Sequence, residues 1–205
     1  MKTGTLLVVS GPSGVGKNTV LREFCLRHPE VRYSISATTR SPRAQEVHGK
    51  DYYFLTRQEF TKGIAEGRFL EWAEFCGNLY GTPRDFVEEH LAAGVDLVMD
   101  IEIQGALQVK ERMPAAVLVF LLPPSLEELE RRIQGRGTED AKSISSRLQV
   151  AIGELQMVER YDYAVVNDDV AAAAEKLWSI LTAAKARIRG NYRQVLAQFW
   201  EQVPF

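Results

Sequence analysis

Cysteine is scarce in this sequence: Cys25 and Cys76 are the only two in 205 residues. No C-x-x-C pair occurs, so a metal site of that spacing is excluded. Both thiols are expected to be small buried hydrophobes in a reducing compartment. Histidine is nearly as sparse. His28, His48 and His90 have no partner at catalytic or metal-ligand spacing and read as ordinary surface or loop residues. Neither sign of charge is in excess. The 25 basic and 27 acidic residues leave a net charge of −2, which argues against a nucleic-acid-coating or membrane-surface protein. A local cluster of arginines remains compatible with that balance. The apolar run near the N-terminus, Thr5-Leu6-Leu7-Val8-Val9-Ser10, is far too short for a membrane span or a signal core. The chain is therefore expected to be cytoplasmic. There is no internal repeat and no low-complexity stretch.

What is present is a globular composition, 45% hydrophobic and 25% charged, at a length that suits one domain with inserted lobes. Leu6 to Val9, Leu97 to Ile101, Val117 to Leu121 and Ala164 to Asn167 are short, apolar and mostly unalternating. Such runs mark strands buried on both faces of a parallel sheet. Helical patterns separate or follow them: Asn18 to Arg27, a Ser125-Leu126-Glu127-Glu128 capping-box start running to Ile133, Ser143 to Arg160, and Val170 to Arg189. Strands alternating with helices predict an α/β fold with a central parallel sheet. Residues 32–92 break the rhythm. Strands are expected at 32–37, 51–55, 68–75 and 78–80, the last two paired across Cys76-Gly77. A short capping-box helix opens at Thr56, and another helix has Pro83 in its first turn. The aromatic tail, with Tyr192, Phe199, Trp200 and Phe205, is expected to pack onto the body or onto a second subunit, so homo-oligomerisation stays open.

Gly11-Pro12-Ser13-Gly14-Val15-Gly16-Lys17-Asn18-Thr19 carries the chemistry most plainly. The G-x-x-x-x-G-K pattern is complete and lies between a buried strand and a helix. Glycines let successive backbone N–H groups converge on phosphate oxygens, the helix N-terminus adds partial positive charge, and Lys17 adds a full one near the β- and γ-phosphates. A nucleoside triphosphate is the expected ligand, with Mg²⁺. The pattern calls for Ser or Thr after the lysine, and Asn18 stands there instead. Its amide can ligate magnesium directly, act through water, or take no part. Thr19 is expected to meet an α-phosphate oxygen. Asp100 ends an apolar strand, as a Walker-B acid does, where it orients a magnesium-bound water or an arginine. Arg40 and Arg43 lie in an extended, hydroxyl-rich segment and suit bidentate capture of a second phosphate. Tyr52 and Tyr80 add hydroxyl donors to the same anion.

Taken together these motifs resemble the guanylate kinases. The resemblance rests on Ser36-Ala37-Thr38-Thr39-Arg40-Ser41-Pro42-Arg43, Glu46, Gly49-Lys50-Asp51-Tyr52, Glu71-Trp72-Ala73-Glu74-Phe75, Tyr80-Gly81-Thr82, Asp100-Ile101-Glu102-Ile103-Gln104-Gly105, Gly135-Arg136-Gly137-Thr138 and Val166-Asn167-Asp168-Asp169. It runs from about Thr5 to Leu181. It implies a three-layer P-loop NTPase fold: a core at about 1–35, 93–124 and 161–190, a mixed α/β GMP-binding insert at 36–92, a helical lid at 125–160, and a tail at 191–205. It implies transfer of the γ-phosphoryl group of ATP to GMP or dGMP. Glu71 would accept from guanine N1–H and the 2-amino group, with Ser36 and Thr82 supplementing. Arg40, Arg43, Glu46, Tyr52, Tyr80 and Asp100 would complete the GMP site. Arg132, Arg136 and Arg147 would close over the phosphates, and Asn167 would stand on the adenine side. Two rivals share the scaffold: ribose bisphosphate phosphokinases, and guanylate-kinase-like scaffold modules that bind phosphopeptides and lack a working phosphate loop.

Overall fold

The computed structural model describes residues 3–134 and 141–187. Arg136, the Gly135–Thr138 segment and the aromatic tail lie outside them. The first strand, β1 (Leu6–Ser10), is buried at every position, as its unalternating apolar run requires. It is the middle strand of a five-stranded sheet. Its neighbours are β7 (Leu97–Asp100) and β8 (Val117–Leu122). β2 (Arg32–Tyr33) and β9 (Tyr163–Val166) form the two edges. Every pairing is parallel, so all carboxyl ends lie on one edge, where open α/β sheets bind ligands. One face packs Leu7, Val9 and Leu121 against α1 (Lys17–Arg27) and α7 (Val170–Lys185), through Phe24, Leu177 and Leu181. The other packs Val8, Met99 and Leu118 under α3 (Arg84–Ala92) and α4 (Ile103–Arg112). Each fully buried aliphatic or aromatic side chain contributes roughly 1.5–3 kcal/mol relative to exposure, so the layered core gives the strand ends a rigid base.

The insert forms its own four-stranded sheet, ordered β4 (Tyr53–Phe54), β3 (Ala37–Thr38), β6 (Asn78–Pro83), β5 (Phe69–Phe75). α2 (Arg57–Ala65) packs on it through Phe60 and starts with the expected capping box between Thr56 and Glu59. The 125–160 segment holds α5 (Leu126–Gln134) and α6 (Ala141–Leu155), the latter continuing as a 3₁₀ turn over Gln156–Arg160. Among the described residues no helix is long and apolar enough to cross a membrane.

Several expectations change. The strand at 32–37 is two strands in different sheets. Ser34 N–H donates to Val98 O on the core sheet, and three residues on Ala37 pairs with Gly81 in the insert. Pro83 closes β6 with an extended ψ of 122° and caps α3 from outside. At α5, Glu128 N–H donates to Ser125 Oγ, but the Glu128 carboxylate pairs with Arg131 and Arg132. Cys25 is partly buried, whereas Cys76 is exposed. Cys76 and Gly77 take φ values of 49° and 74°, the two positive φ angles of a tight hairpin turn, which leaves that thiol at the tip. His28 is no plain surface residue: its ring stacks on Trp178 at 4.0 Å.

Candidate active site

The phosphate loop leaves the end of β1 and turns directly into α1. Gly16 is the helix N-cap at φ 95°, a left-handed conformation, and a Cβ there would come within 2.7 Å of Asn167 Nδ2. Glycine is thus required by backbone and by space. Lys17 Nζ donates to Gly11 O at 2.7 Å, folding the ammonium over the loop. Asn18 and Thr19 are exposed at the helix mouth. The loop is braced from behind by residues far away in sequence. Asn167, 3% exposed, donates to Val15 O at 2.7 Å. Arg132 donates to Val15 O and to Asn167 O, while Glu128 holds its Nε. α7 is capped by Asp169, which accepts from Ala172 N–H. Arg147 lies on α6.

Facing the loop, β3 and the turn after it present the arginine cluster. Arg40 is not a loose surface charge. Its two terminal nitrogens donate to the two Glu46 oxygens at 2.8 and 2.9 Å, and its guanidinium lies over the Tyr52 and Phe54 rings. Glu46 also accepts from Arg43 N–H. These bonds hold the Glu46 carboxyl far below the usual carboxylate range, at about 2, with Arg40 the main cause. Tyr52 and Tyr80 meet edge to face with ring centroids 6.2 Å apart. Asn18, Ser36, Arg40, Arg43, Glu46, Tyr52, Tyr80 and Asp100 line one cleft of about 620 Å³.

Glu71 and Thr82 are opposite one another in the β5–β6 ladder. Thr82 Oγ1 donates to Glu71 Oε1 at 2.7 Å, and the carboxylate is 4% exposed. Burial pushes its carboxyl upward, against the Thr82 bonds and the Arg112 charge. Gly105, in the first turn of α4, is pressed against it: a Cβ there would stand 2.5 Å from Glu71 Oε2. The buried carboxylate thus has Thr82 on one oxygen and the first turn of α4 pressed against the other.

Asp100, at the carboxyl end of β7, is pushed up to about 6 by desolvation, while Lys17 pulls it down and Glu102 adds to the rise. The unfolded chain releases this proton near 3.8, the folded protein near 6. Between those values the folded state binds more protons, so this group lowers stability as pH rises through the window. Asp100→Asn removes the effect. In thermal melts its advantage over wild type should be larger at pH 8 than at pH 4, and equal differences at both would refute the shift.

Sequence reading missed Tyr33, which lines the cleft, and the face of α4 behind Glu71. No local pattern marks either. A family model described as guanylate kinase matches residues 3–184. A guanylate kinase of Desulfitobacterium hafniense (strain Y51) is 53% identical over 186 residues, covering 91% of this chain and 93% of that protein. One from Listeria monocytogenes serotype 4b is 53% identical over 198 residues, covering 94% and 96%. A crystal structure of guanylate kinase from Anaplasma phagocytophilum superposes with a TM-score of 0.76 at 35% identity, covering 98% of this chain and 97% of that one. A phosphate loop facing an arginine–tyrosine cradle with a buried glutamate behind it, and a family match over nearly the whole chain, lead to one conclusion: the chain belongs to the guanylate kinase family.

Proposed function

We propose that the chain transfers the γ-phosphoryl group of ATP directly to GMP or dGMP, giving ADP and the nucleoside diphosphate. It is an ATP-dependent nucleoside monophosphate kinase acting on GMP. The observation that carries the assignment of roles is the shared cleft. Asn18 at the mouth of the phosphate loop and Asp100 open into the same space as Ser36, Arg40, Arg43, Tyr52 and Tyr80. Donor and acceptor phosphates are thereby brought together, and positioning with charge neutralisation does most of the work in such reactions.

The loop amides from Gly11 through Thr19 and the Lys17 ammonium hold the donor phosphates. Arg40, Arg43, Tyr52 and Tyr80 hold the acceptor phosphate so that its oxygen attacks the γ-phosphorus in line with the leaving oxygen. Glu46 is itself an anion and works through Arg40, fixing the guanidinium plane. Glu71 accepts from guanine N1–H and the 2-amino group, with Ser36 and Thr82 beside it. Asn167 and Arg132 act on ATP through the loop backbone they brace, and Arg136 and Arg147 close from the lid. Closure of the 36–92 and 125–160 lobes excludes the water that would otherwise take the phosphoryl group. Magnesium, bound with ATP as co-substrate, would neutralise charge on the transferred group. Asn18, beside Lys17, and Asp100, whose carboxyl feels the Lys17 charge, would meet it from the protein side, directly or through water. Among the described residues no group of three or more His, Cys, Asp or Glu is placed to hold a metal ion.

The test is a coupled assay of GMP-dependent ADP formation across an acceptor panel of GMP, dGMP, AMP, IMP and ribose bisphosphate. Absence of turnover with GMP and dGMP would sink the reading. In the same assay Asn18→Ser should change kcat by less than about threefold at saturating Mg²⁺, because the metal leans on phosphate oxygens. A gain of tenfold or more would show that the native amide handicaps the loop.

A further inference from the structure

Among the described residues β5 is the edge strand of the insert sheet, with β6 as its only strand partner. Its other side meets α4, and α4 supplies side chains where a neighbouring strand would supply main chain. Gln108 Nε2 donates to Trp72 O at 3.0 Å, and Gln108 Oε1 accepts from Trp72 N–H at 3.5 Å. One carboxamide thus engages both main-chain groups of one residue, as a ladder partner would. Four residues on, Arg112 donates to Leu70 O. Gly105, Gln108 and Arg112 are spaced i, i+3 and i+7, one face of the helix. The two anchored residues, Leu70 and Trp72, bracket Glu71, and Gly105 on the same face meets the Glu71 carboxylate itself.

We infer that Gln108, together with Arg112, is a positioning residue for guanine recognition: it fixes the main chain on both sides of Glu71 and so sets where that carboxylate points. Glu71 must hold two donors of one base edge at once, and a shift of a few tenths of an ångström at its backbone spoils one of the two bonds. α4 follows directly from β7, the strand that ends in Asp100. The same anchors therefore tie the base-reading strand to the core sheet that carries the phosphate chemistry. Arg112 adds a positive charge that favours the ionised form of the buried carboxylate.

The inference rests on the reading of Glu71 as the guanine acceptor, and the experiment separates the two. GMP and IMP differ in the 2-amino group, so the ratio of their kcat/KM values reports bidentate alignment. Gln108→Leu removes both hydrogen bonds at similar size. It should raise KM for GMP about tenfold and lower the GMP:IMP ratio about tenfold, with KM for ATP unchanged. Gln108→Glu keeps an acceptor for Trp72 N–H but sets an oxygen against Trp72 O, and should lower the ratio at least as far as Gln108→Leu. Gln108 is only partly buried, so both variants are expected to fold. Glu71→Gln is the control. If it collapses the ratio while Gln108→Leu leaves it unchanged, the inference is overturned, whatever happens to the melting temperature. If Glu71→Gln itself leaves the ratio unchanged, the base reading fails and this inference with it.

Discussion

Glu71→Gln is expected to lower kcat/KM for GMP by about a thousandfold, with the protein still folded. The substitution is isosteric. Thr82 Oγ1, which donates to Glu71 Oε1 at 2.7 Å, can donate to the amide oxygen just as well. What changes is the second oxygen, which becomes an NH₂ group. Guanine offers two adjacent donors, so one of them now faces a donor across a closed pocket, and both groups lose water without gaining a partner. The loss exceeds that of one hydrogen bond because the mismatch is buried. Adenine offers an acceptor beside a donor and suits the amide better than the carboxylate. AMP turnover should therefore rise relative to GMP. Stability should move the other way from activity: burial raises the Glu71 carboxyl, so a neutral side chain there relieves a desolvation cost. Steady-state kinetics with GMP and AMP, beside thermal melts, check all three statements. Retention of GMP activity within tenfold would show that the guanine edge is read elsewhere.

Much of this site is legible in the amino-acid order, because phosphate binding imposes local rules. A loop that must curl its amides around an anion needs glycines at set positions and a lysine after the last. Gly11, Gly16 and Lys17 carry that rule within seven residues. The central sheet is equally plain, since strands covered on both faces cannot alternate, and Leu6–Val9 and Val117–Leu121 do not. Glu71 is different. A glutamate in a strand reads as solvated, and only the resemblance of its surroundings to a known family assigns it a role. The structure supplies the physical reason it is exceptional: Thr82 lies across the ladder, and Gly105 arrives from another layer. The bracing of the phosphate loop was not legible at all. Arg132 and Asn167 reach Val15 across sequence separations of 117 and 152 residues, and no periodicity records such a contact. The same holds for Gln108, 36 residues from the Trp72 main chain it anchors. The expectation of a single strand at 32–37 failed for a related reason. Both halves have strand character, and which sheet each joins is decided by Val98 and Gly81, far along the chain.

Lys17→Met should lower kcat by about a thousandfold or more while leaving the fold intact. The methionine keeps most of the aliphatic stem, and the loop loses one hydrogen bond, from Lys17 Nζ to Gly11 O. The glycine-determined curvature and the helix N-terminus both remain, so ATP still finds backbone donors and its affinity should fall far less than kcat. The difference arises because charge migrates during transfer. Backbone amides and the helix terminus supply partial charges, fixed before and after the reaction, whereas the ammonium supplies a full charge beside the oxygens that gain electron density on the way to the transition state. Its removal also reaches Asp100. Lys17 is the group that holds the Asp100 carboxyl down, so in Lys17→Met that carboxyl should rise above about 6 and take up a proton nearer to neutral pH. Lys17→Arg is not expected to rescue the rate. The loop closes around a single compact ammonium, and a planar guanidinium fork is too wide to occupy the same place. ATP affinity by equilibrium titration, set against kcat from the coupled assay, separates the two contributions. If affinity for ATP fell while kcat held, Lys17 would be acting through uniform binding alone, and the donor side of the mechanism would have to be rebuilt around the arginines of the lid.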